Sequence, residues 1–226
     1  MNLDEAREAL RILKGIYSYS GFEEWWRGLS PFEILIATII SQNTNSKNTD
    51  TAFRRLREHF TVRPEVLASA SLKELEECLK PAGLYNVKAR RIREISALLS
   101  DKEGGLEAIL EKPLDDARRE LMSLPGVGWK TADVVLSFAA GKATFPVDTH
   151  IARIAKRWGI THDKAGYEEV SGAFKRIVDE GERRRIHLML IMFGREYCTA
   201  RNPKCNQCPV RPPCNGIMPR DAGKKA

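Results

Sequence analysis

The sequence lacks the patterns that mark membrane, secreted and β-rich proteins. None of its apolar runs reaches membrane-spanning length, and its first residues, MNLDEAREALRILKG, lack the basic-then-apolar layout of a secretory signal peptide. Alternating apolar and polar residues, which are typical of half-buried strands, are also missing. We therefore expect an all-α, intracellular and cytoplasmic protein with no membrane partner.

Acidic residues are outnumbered by basic ones. The 226 residues include 37 Lys and Arg against 30 Asp and Glu, so the formal net charge is +7 and the pI is near 9.2. An excess of this sign favours polyanionic partners such as nucleic acid. The hydrophobic content of 42% is ordinary for a globular protein, and the length allows one large domain or two small ones.

The most informative stretch is residues 121–150, LMSLPGVGWKTADVVLSFAAGKATFPVDTH. Pro125 predicts the end of one helix, and a second helix begins close to Lys130. Between them, Gly126 and Gly128 allow positive φ angles and a close approach of backbone amides to a ligand. A glycine turn that leads into a helix N-terminus binds anions well, although most such turns are only structural.

Two side chains in this stretch have both a structural and a chemical interpretation. Lys130 is either a solvated lysine or a nucleophile, because positive potential at a helix start and partial burial favour the neutral amine. Asp148 precedes another helix pattern, so it is either a helix cap or a carboxylate that stabilises developing positive charge. The two positions alone leave both alternatives open.

Cysteine is scarce except near the end of the chain. Four of the five cysteines, Cys198, Cys205, Cys208 and Cys214, occupy seventeen residues with the spacing Cys-x6-Cys-x2-Cys-x5-Cys. Metal ligation explains this crowding better than disulfides do in an intracellular protein. The residues themselves do not distinguish a structural zinc from an iron–sulfur cluster, since both use four thiolates. Cys78 stands alone in a helix pattern and is expected to be a core residue.

Capping patterns and apolar runs predict where other helices begin. Ser30 with Glu33, and Ser71 with Glu74, have the spacing of capping boxes. The first of them opens FEILIATIIS (32–41), which is apolar on nearly all sides and predicts a buried central helix.

Two further helices follow from glycine turns and apolar spacing. One begins after GLYN (83–86) and is expected to run through Val87, Ile92, Ile95 and Leu99. The other is the helix that carries Lys130, and it is predicted to end at Gly141. The short connection that contains Trp25 and Trp26 is interpreted as a pair of aromatic anchors.

Three motifs together resemble the endonuclease III family of helix–hairpin–helix DNA repair glycosylases. They are LPGVGWKTA (124–132), VDTH (147–150) and the four-cysteine array. The resemblance extends to SPFEILIATIISQ (30–42) and GLYNVK (83–88), and it covers nearly the whole chain.

The resemblance implies a two-domain helix–hairpin–helix glycosylase fold. A six-helix domain would occupy residues 22–142, and residues 1–21 with 143–226 would form a helical cluster domain. It also implies a [4Fe–4S] cluster held by Cys198, Cys205, Cys208 and Cys214. The implied partner is double-stranded DNA that contains a damaged base or an abasic site, bound by a monomer at the nucleoid.

The resemblance also assigns the chemical steps. Lys130 would attack C1′ of the sugar, the base would leave, and β-elimination from the resulting Schiff base would nick the strand. Asp148 would stabilise the positive charge that develops on the sugar.

DNA-binding roles are implied for four further residues. Gln42 and Leu84 would fill the space left in the base stack by the flipped nucleotide. The amides of Gly126 and Gly128 would hold a phosphate.

Some residues depart from the family pattern and leave alternatives open. The oxidised-pyrimidine enzymes of the family typically show Ala-Thr-Asp after the glutamine, whereas this chain has Asn43-Thr44-Asn45. That version and the Trp25–Trp26 pair are closer to relatives that remove alkylated bases, and Trp129 replaces a residue that is often arginine.

The leading hypothesis is a bifunctional glycosylase and abasic-site lyase that removes damaged, in the first place oxidised, pyrimidines. The alternatives are a glycosylase for alkylated or mismatched bases with weak or no lyase activity, and a non-catalytic DNA-binding module. The presence of both Lys130 and Asp148 disfavours the module.

Overall fold

The computed structural model of the chain describes residues 1–17, 26–211 and 214. Within these ranges the chain is helical and contains no β-strand, which confirms the all-α class. The α-helices of the described ranges are α1 Leu3–Ile16, α2 Pro31–Ser41, α3 Ser46–His59, α4 Pro64–Ser69, α5 Leu72–Leu79, α6 Tyr85–Ser100, α7 Gly105–Glu111, α8 Leu114–Met122, α9 Trp129–Phe138, α10 Thr149–Trp158, α11 Tyr167–Lys175 and α12 Arg183–Glu196.

The helices belong to two compact units. The central unit comprises Trp26–Lys142 and contains α2 to α9. The terminal unit comprises Met1–Trp25 with Ala143–Ala226 and contains α1 and α10 to α12. The predicted domain start at residue 22 lies outside the described residues. The assignment of residues 1–21 and 143–226 to an iron–sulfur domain stays a prediction.

Helix α2 is the buried centre of the central unit. Eight of its 11 residues are buried, as its uniform apolarity predicts. The predicted capping box is present: the Ser30 hydroxyl accepts from the Glu33 N–H at 3.2 Å, and the Glu33 carboxylate accepts from the Ser30 N–H at 2.8 Å. Pro31 occupies the first helical position, where no amide donor is needed.

The second predicted capping box is wrong. Ser71 precedes α5, but its side chain makes no capping hydrogen bond. The Glu74 carboxylate lies 3.7 Å from Nε2 of His59 instead of reaching back to Ser71. In this structure Glu74 thus lies beside a residue of another helix and does not complete a capping box.

The buried face of α6 begins at Lys88 and not at Val87. Val87 is 43% exposed, whereas Lys88 is only 2% exposed and continues into the buried positions Ile92 and Ile95. The spacing of 88, 92 and 95 follows one helix face, so Lys88 occupies a position where an apolar residue is expected. The predicted helix through these positions is confirmed.

Helix α9 ends earlier than predicted. Its last residue is Phe138, and Gly141 lies three residues later with φ +65°. This left-handed glycine turns the chain so that the Lys142 N–H donates to the Leu136 carbonyl at 2.9 Å. Gly141 thus closes the turn after the helix.

Two other predictions in the central unit concern its core. Trp26 packs edge-on against Phe138, with ring centroids 4.8 Å apart, as expected of an aromatic anchor. Trp25 lies outside the described residues. Cys78 is 7% exposed in the core, which confirms its structural interpretation, and burial raises the pKa of its thiol.

The terminal unit has a core of its own. Leu13 of α1, Trp158 of α10 and Phe193 of α12 belong to one buried cluster. Across the part of the chain that the structure describes, no helix is long and apolar enough to cross a membrane.

Candidate active site and cysteine array

The hairpin turn between α8 and α9, residues 123–128, uses its two glycines differently. Gly126 has φ +73°, the left-handed conformation that favours glycine. Gly128 caps α9 with φ −102° and ψ −176°, an extended conformation that any residue adopts. The expectation of positive φ is therefore confirmed at Gly126 and wrong at Gly128. A Cβ at Gly128 would meet nothing within 4 Å, so the fold itself does not require a glycine there.

Arg91 of α6 explains why Gly126 has no side chain. A Cβ at position 126 would lie 2.7 Å from Cδ and 2.8 Å from Nε of Arg91. Any larger residue would push this arginine away from the hairpin turn and would also strain the backbone. The arginine was not predicted as part of the site.

Gln42 is hydrogen-bonded to the hairpin turn. It caps the C-terminus of α2, and its Nε2 donates to the Gly126 carbonyl at 3.0 Å and to the Thr131 hydroxyl at 3.2 Å. Nη1 of Arg91 donates to its Oε1 at 3.4 Å. The structure therefore brings together Gln42 and Gly126, which lie 84 positions apart in sequence.

Lys130 lies in the first turn of α9 and is half-buried. The start of this helix is fastened to α8 by Arg118, whose Nε donates to Asp133 at 2.8 Å. Asp133 is 1% exposed, so the pair is a buried one. The guanidinium of Arg118 also lies 5.6 Å from the centroid of the Trp129 ring, a cation–π distance. These contacts hold the backbone on both sides of Lys130 in place.

Asp148 caps α10 in the terminal unit. Its Oδ1 accepts from the Ile151 N–H at 2.9 Å, and the side chain is half-buried. The structural interpretation of Asp148 is thereby confirmed. Its catalytic role stays a prediction.

Leu84 is an exposed apolar side chain on a strained turn. It is 57% exposed and has φ +48° and ψ +30°, a left-handed conformation that leucine rarely adopts. Such a conformation costs about 1–3 kcal/mol for a residue other than glycine. Gly83, with φ +67°, precedes it and shares the sharp turn into α6. The predicted exposure on a turn is confirmed, whereas insertion into DNA stays a prediction.

Lys88 lies beneath this turn. Its Nζ donates to the carbonyl of Ile40 at 2.8 Å and to the carbonyl of Ala82 at 2.9 Å. Burial lowers the pKa of Lys88 because a charged amine is poorly solvated there.

The cysteine array packs against the core of the terminal unit. Three of its residues, Cys198, Cys208 and Cys214, are partly buried there. Nη1 of Arg157 donates to Sγ of Cys198 at 3.3 Å. The pKa of the Cys208 thiol is raised to about 11, mainly by burial and also by the charges of the other three cysteines, while a backbone hydrogen bond at Val210 opposes the shift.

Four thiolates are the donor set that an iron–sulfur cluster takes. Within residues 1–17, 26–211 and 214, no group of three or more His, Cys, Asp or Glu side chains is arranged to hold a metal ion. Pro212 and Pro213, two of the prolines interleaved with the array, lie outside the described residues.

Known proteins share both the motifs and the fold. Residues 36–180 match the HhH-GPD superfamily of base excision DNA repair proteins. Endonuclease III of Thermotoga maritima is 37% identical over 194 residues, which cover 86% of this chain and 87% of that protein. Endonuclease III of Bacillus subtilis is 36% identical over 192 residues, covering 85% of this chain and 84% of that protein. The chain belongs to the endonuclease III family.

Solved structures of endonuclease III have the same architecture. The structure of a trapped endonuclease III–DNA covalent intermediate superimposes with a TM-score of 0.82 and 34% identity, covering 95% of this chain and 96% of that one. As a member of the endonuclease III family, this chain is a DNA-binding enzyme of base excision repair, a DNA glycosylase and lyase.

Three residues of this endonuclease III site were not foreseen in the sequence. Arg91 and Thr131 bind Gln42 through long-range contacts that no local pattern encodes. Lys88 did carry a signal, because it interrupts the apolar face that Ile92 and Ile95 continue. A lysine at such a position indicates a buried amine with specific acceptors.

Proposed function

We propose that this enzyme removes damaged, in the first place oxidised, pyrimidines from duplex DNA and then nicks the abasic site, with Lys130 as the nucleophile. The observation that carries the proposal is the position of Lys130. It lies in the first turn of a helix that begins at a glycine-lined turn and is fastened by a buried ion pair. The similarity to an endonuclease III that was trapped covalently on DNA supports the same chemistry.

The proposed reaction assigns one role to each side chain. The neutral amine of Lys130 attacks C1′, the bond between C1′ and the base breaks, and its electron pair leaves with the base. The amine loses a proton and the sugar ring opens, which forms a Schiff base. Loss of a proton from C2′ then breaks the bond between C3′ and its phosphate oxygen. The Asp148 carboxylate stabilises the positive charge on the sugar during the first step.

Contacts with the rest of the duplex come from the central unit. The exposed backbone of Gly126 and Gly128 provides amides for a phosphate, which positions the duplex without reading its sequence. Gln42 and Leu84 fill the stack after the lesion has been flipped, at a cost of a few kcal/mol for unstacking. The partner is therefore double-stranded DNA with a damaged base or an abasic site, and the enzyme acts on it as a monomer at the nucleoid.

We further propose that the terminal unit carries a [4Fe–4S] cluster. The four ligands would be Cys198, Cys205, Cys208 and Cys214, and Arg157 would neutralise part of the thiolate charge at Cys198. Such a cluster would link the four-cysteine segment to the core of the unit. Anaerobically purified protein should contain about four iron and four sulfide per chain. One zinc and no sulfide would contradict this assignment.

A second candidate function has support from Asn43. This residue is exposed next to Gln42 and has φ +54°, a conformation that asparagine adopts more easily than alanine. It changes the surface at the position where the oxidised-pyrimidine enzymes of the family typically have alanine. A glycosylase for alkylated or mismatched bases, with weak or no lyase activity, is therefore the alternative.

One experiment distinguishes these functions. Duplexes that each contain a single lesion, together with an abasic duplex, are scored for base release and for strand nicking. Release of oxidised pyrimidines with nicking is the expected result. Release of alkylated or mismatched bases without nicking would establish the alternative, and binding with neither activity would leave only a DNA-binding module.

A further inference from the structure

We propose that Lys88 is a positioning residue that couples Gln42 to Leu84, so that these two residues enter the base stack as one unit. The inference rests on the proposed stack-filling roles of Gln42 and Leu84. It adds the residue that fixes their relative position, which neither the sequence motifs nor the proposed chemistry requires.

The geometry of Lys88 is the first argument. One ammonium group binds the carbonyl of Ile40, two residues before Gln42, and the carbonyl of Ala82, two residues before Leu84. The two acceptors belong to segments that lie more than 40 positions apart in the sequence. A single buried group therefore sets the distance between the end of α2 and the turn that precedes α6.

The strained turn at Leu84 is the second argument. Lys88 contacts the backbone on both sides of Leu84, because its own N–H donates to the Leu84 carbonyl at 3.0 Å and its Nζ donates to the Ala82 carbonyl. A left-handed leucine persists only where the surroundings determine its backbone strongly. The backbone bond belongs to the first turn of α6 and does not depend on the side chain at position 88. The bond that is specific to Lys88 is the one from Nζ, which fixes the backbone before Leu84.

The cost of the arrangement is the third argument. Lys88 is 2% exposed on a helix face that is otherwise apolar, and burial of an amine with only carbonyl partners is unfavourable. A methionine would fill the same space without this cost. The carbonyl of Ile40 is one of the last four of α2, so a positive charge there also satisfies a helix end. If Lys88 only capped the helix, its loss would affect every substrate alike. If it positions Gln42 and Leu84, its loss should affect paired lesions more than abasic sites, and this difference makes the proposal testable.

The test compares two substrates in matched variants. Lys88→Met removes both donors, Lys88→Arg keeps a charged donor, and Ile95→Ala is a control on the same buried face of α6. Rates are measured for base release from a paired lesion and for nicking of a preformed abasic site, which has no base to unpair. Lys88→Met should slow base release by about tenfold or more relative to nicking, since it removes support for stack filling. Lys88→Arg should recover part of this loss, and Ile95→Ala should change both rates equally.

A double variant tests whether Lys88 acts through Leu84. If Lys88 acts through the leucine, Lys88→Met combined with Leu84→Ala should release the lesion no more slowly than Leu84→Ala does alone. Independent effects that multiply would overturn the proposal, as would an equal loss on both substrates. If Lys88→Met does not fold, Lys88→Gln, which retains a donor, takes its place in the same comparison.

Failure of the proposed function gives a different result. A wild-type enzyme that neither releases a base nor nicks would remove that function. Unstacking is followed separately by the fluorescence of 2-aminopurine placed beside the lesion, in a Lys130→Ala background that prevents chemistry. The fluorescence rise on binding should be lost with Lys88→Met and kept with Ile95→Ala. An unchanged rise in Lys88→Met would overturn the coupling whatever the chemistry is.

Discussion

The starts of α9 and α10 have almost the same backbone and different side chains. The residue that caps α9, Gly128, has φ −102° and ψ −176°, and the residue that caps α10, Asp148, has φ −104° and ψ −177°. Asp148 adds a carboxylate that accepts from the Ile151 N–H, whereas Gly128 has no side chain with which to cap its helix. The two helix starts therefore differ in the chemistry of one position.

This difference separates two uses of the positive end of a helix. In α10 the chain itself supplies the negative group that a helix N-terminus favours. In α9 the cap supplies none, and a cation, Lys130, lies in the first turn, where the helix dipole disfavours its charge. The first helix start is capped by a side chain of the chain itself, whereas the second has no side-chain cap.

Among the variants that test the difference between the two helix starts, removal of Lys130 should have the largest effect on activity. Lys130→Ala should abolish borohydride trapping on lesion or abasic DNA, because no amine remains to form the Schiff base. Duplex binding should be retained, since the hairpin turn is unchanged. The exposed Lys80, which pairs with Glu77, provides a control: Lys80→Ala should trap normally. An unchanged trapped yield in Lys130→Ala would place the nucleophile on another residue.

Neutralisation of Asp148 should have the next largest effect. Asp148→Asn should slow base release by about 10²–10³-fold, which is typical for the loss of one group that stabilises charge in a transition state. The unfolding free energy should hardly change, because asparagine caps helices as well as aspartate does. Single-turnover rates and denaturant titration measure the two quantities. If Asp148 serves only as a cap, the variant should be fully active.

A carboxylate at Gly128 would make the start of α9 resemble that of α10. Gly128→Asp should weaken duplex affinity by about tenfold, or about 1.4 kcal/mol, because the new charge repels the phosphate and competes for the same amides. Gly166 is a matched control, since it caps α11 with φ −81° and a Cβ there also meets nothing within 4 Å. Gly166→Asp should leave affinity unchanged in a titration at fixed salt. Equal affinities for both variants would argue against a phosphate at the hairpin turn.

Loss of the α10 cap should give the smallest effect. Asp148→Ala should reduce the unfolding free energy by about 1 kcal/mol, the usual value of a side-chain cap. Gly128→Ala should reduce it by less than this, because alanine is a poorer N-cap than glycine but no side-chain hydrogen bond is lost. Denaturation by urea measures both variants. A larger loss for Gly128→Ala would show that the fold requires this glycine.

Local patterns in the sequence predicted local structure well. The Ser30–Glu33 capping box and the apolar helix that follows it are both present, because their determinants lie within a few residues of each other. The Ser71–Glu74 box is absent, and Glu74 instead lies beside His59 of another helix. Local spacing does not reveal such a neighbour.

The candidate site depended more strongly on tertiary contacts. The sequence placed Gln42 at the end of α2 but gave no reason to expect its bonds to the hairpin turn. The buried pair of Arg118 and Asp133 likewise joins two helices, and neither residue is unusual in its own segment. Lys88 and Arg91 contact the end of α2, which lies more than 40 positions away in the sequence, so no single segment predicts their contacts.

The left-handed backbone of Leu84 has a consequence for attempts to make this enzyme more heat-resistant. Glycine or asparagine would relieve the strain at position 84, so a screen that rewards only a higher melting temperature should select them. The selected protein would be more stable, but with the proposed stack-filling role of Leu84 it would repair paired lesions less well, because the exposed apolar side chain would be gone. An engineering campaign on this scaffold should therefore leave position 84 unchanged and look for added robustness elsewhere, for instance on the exposed polar faces of its helices.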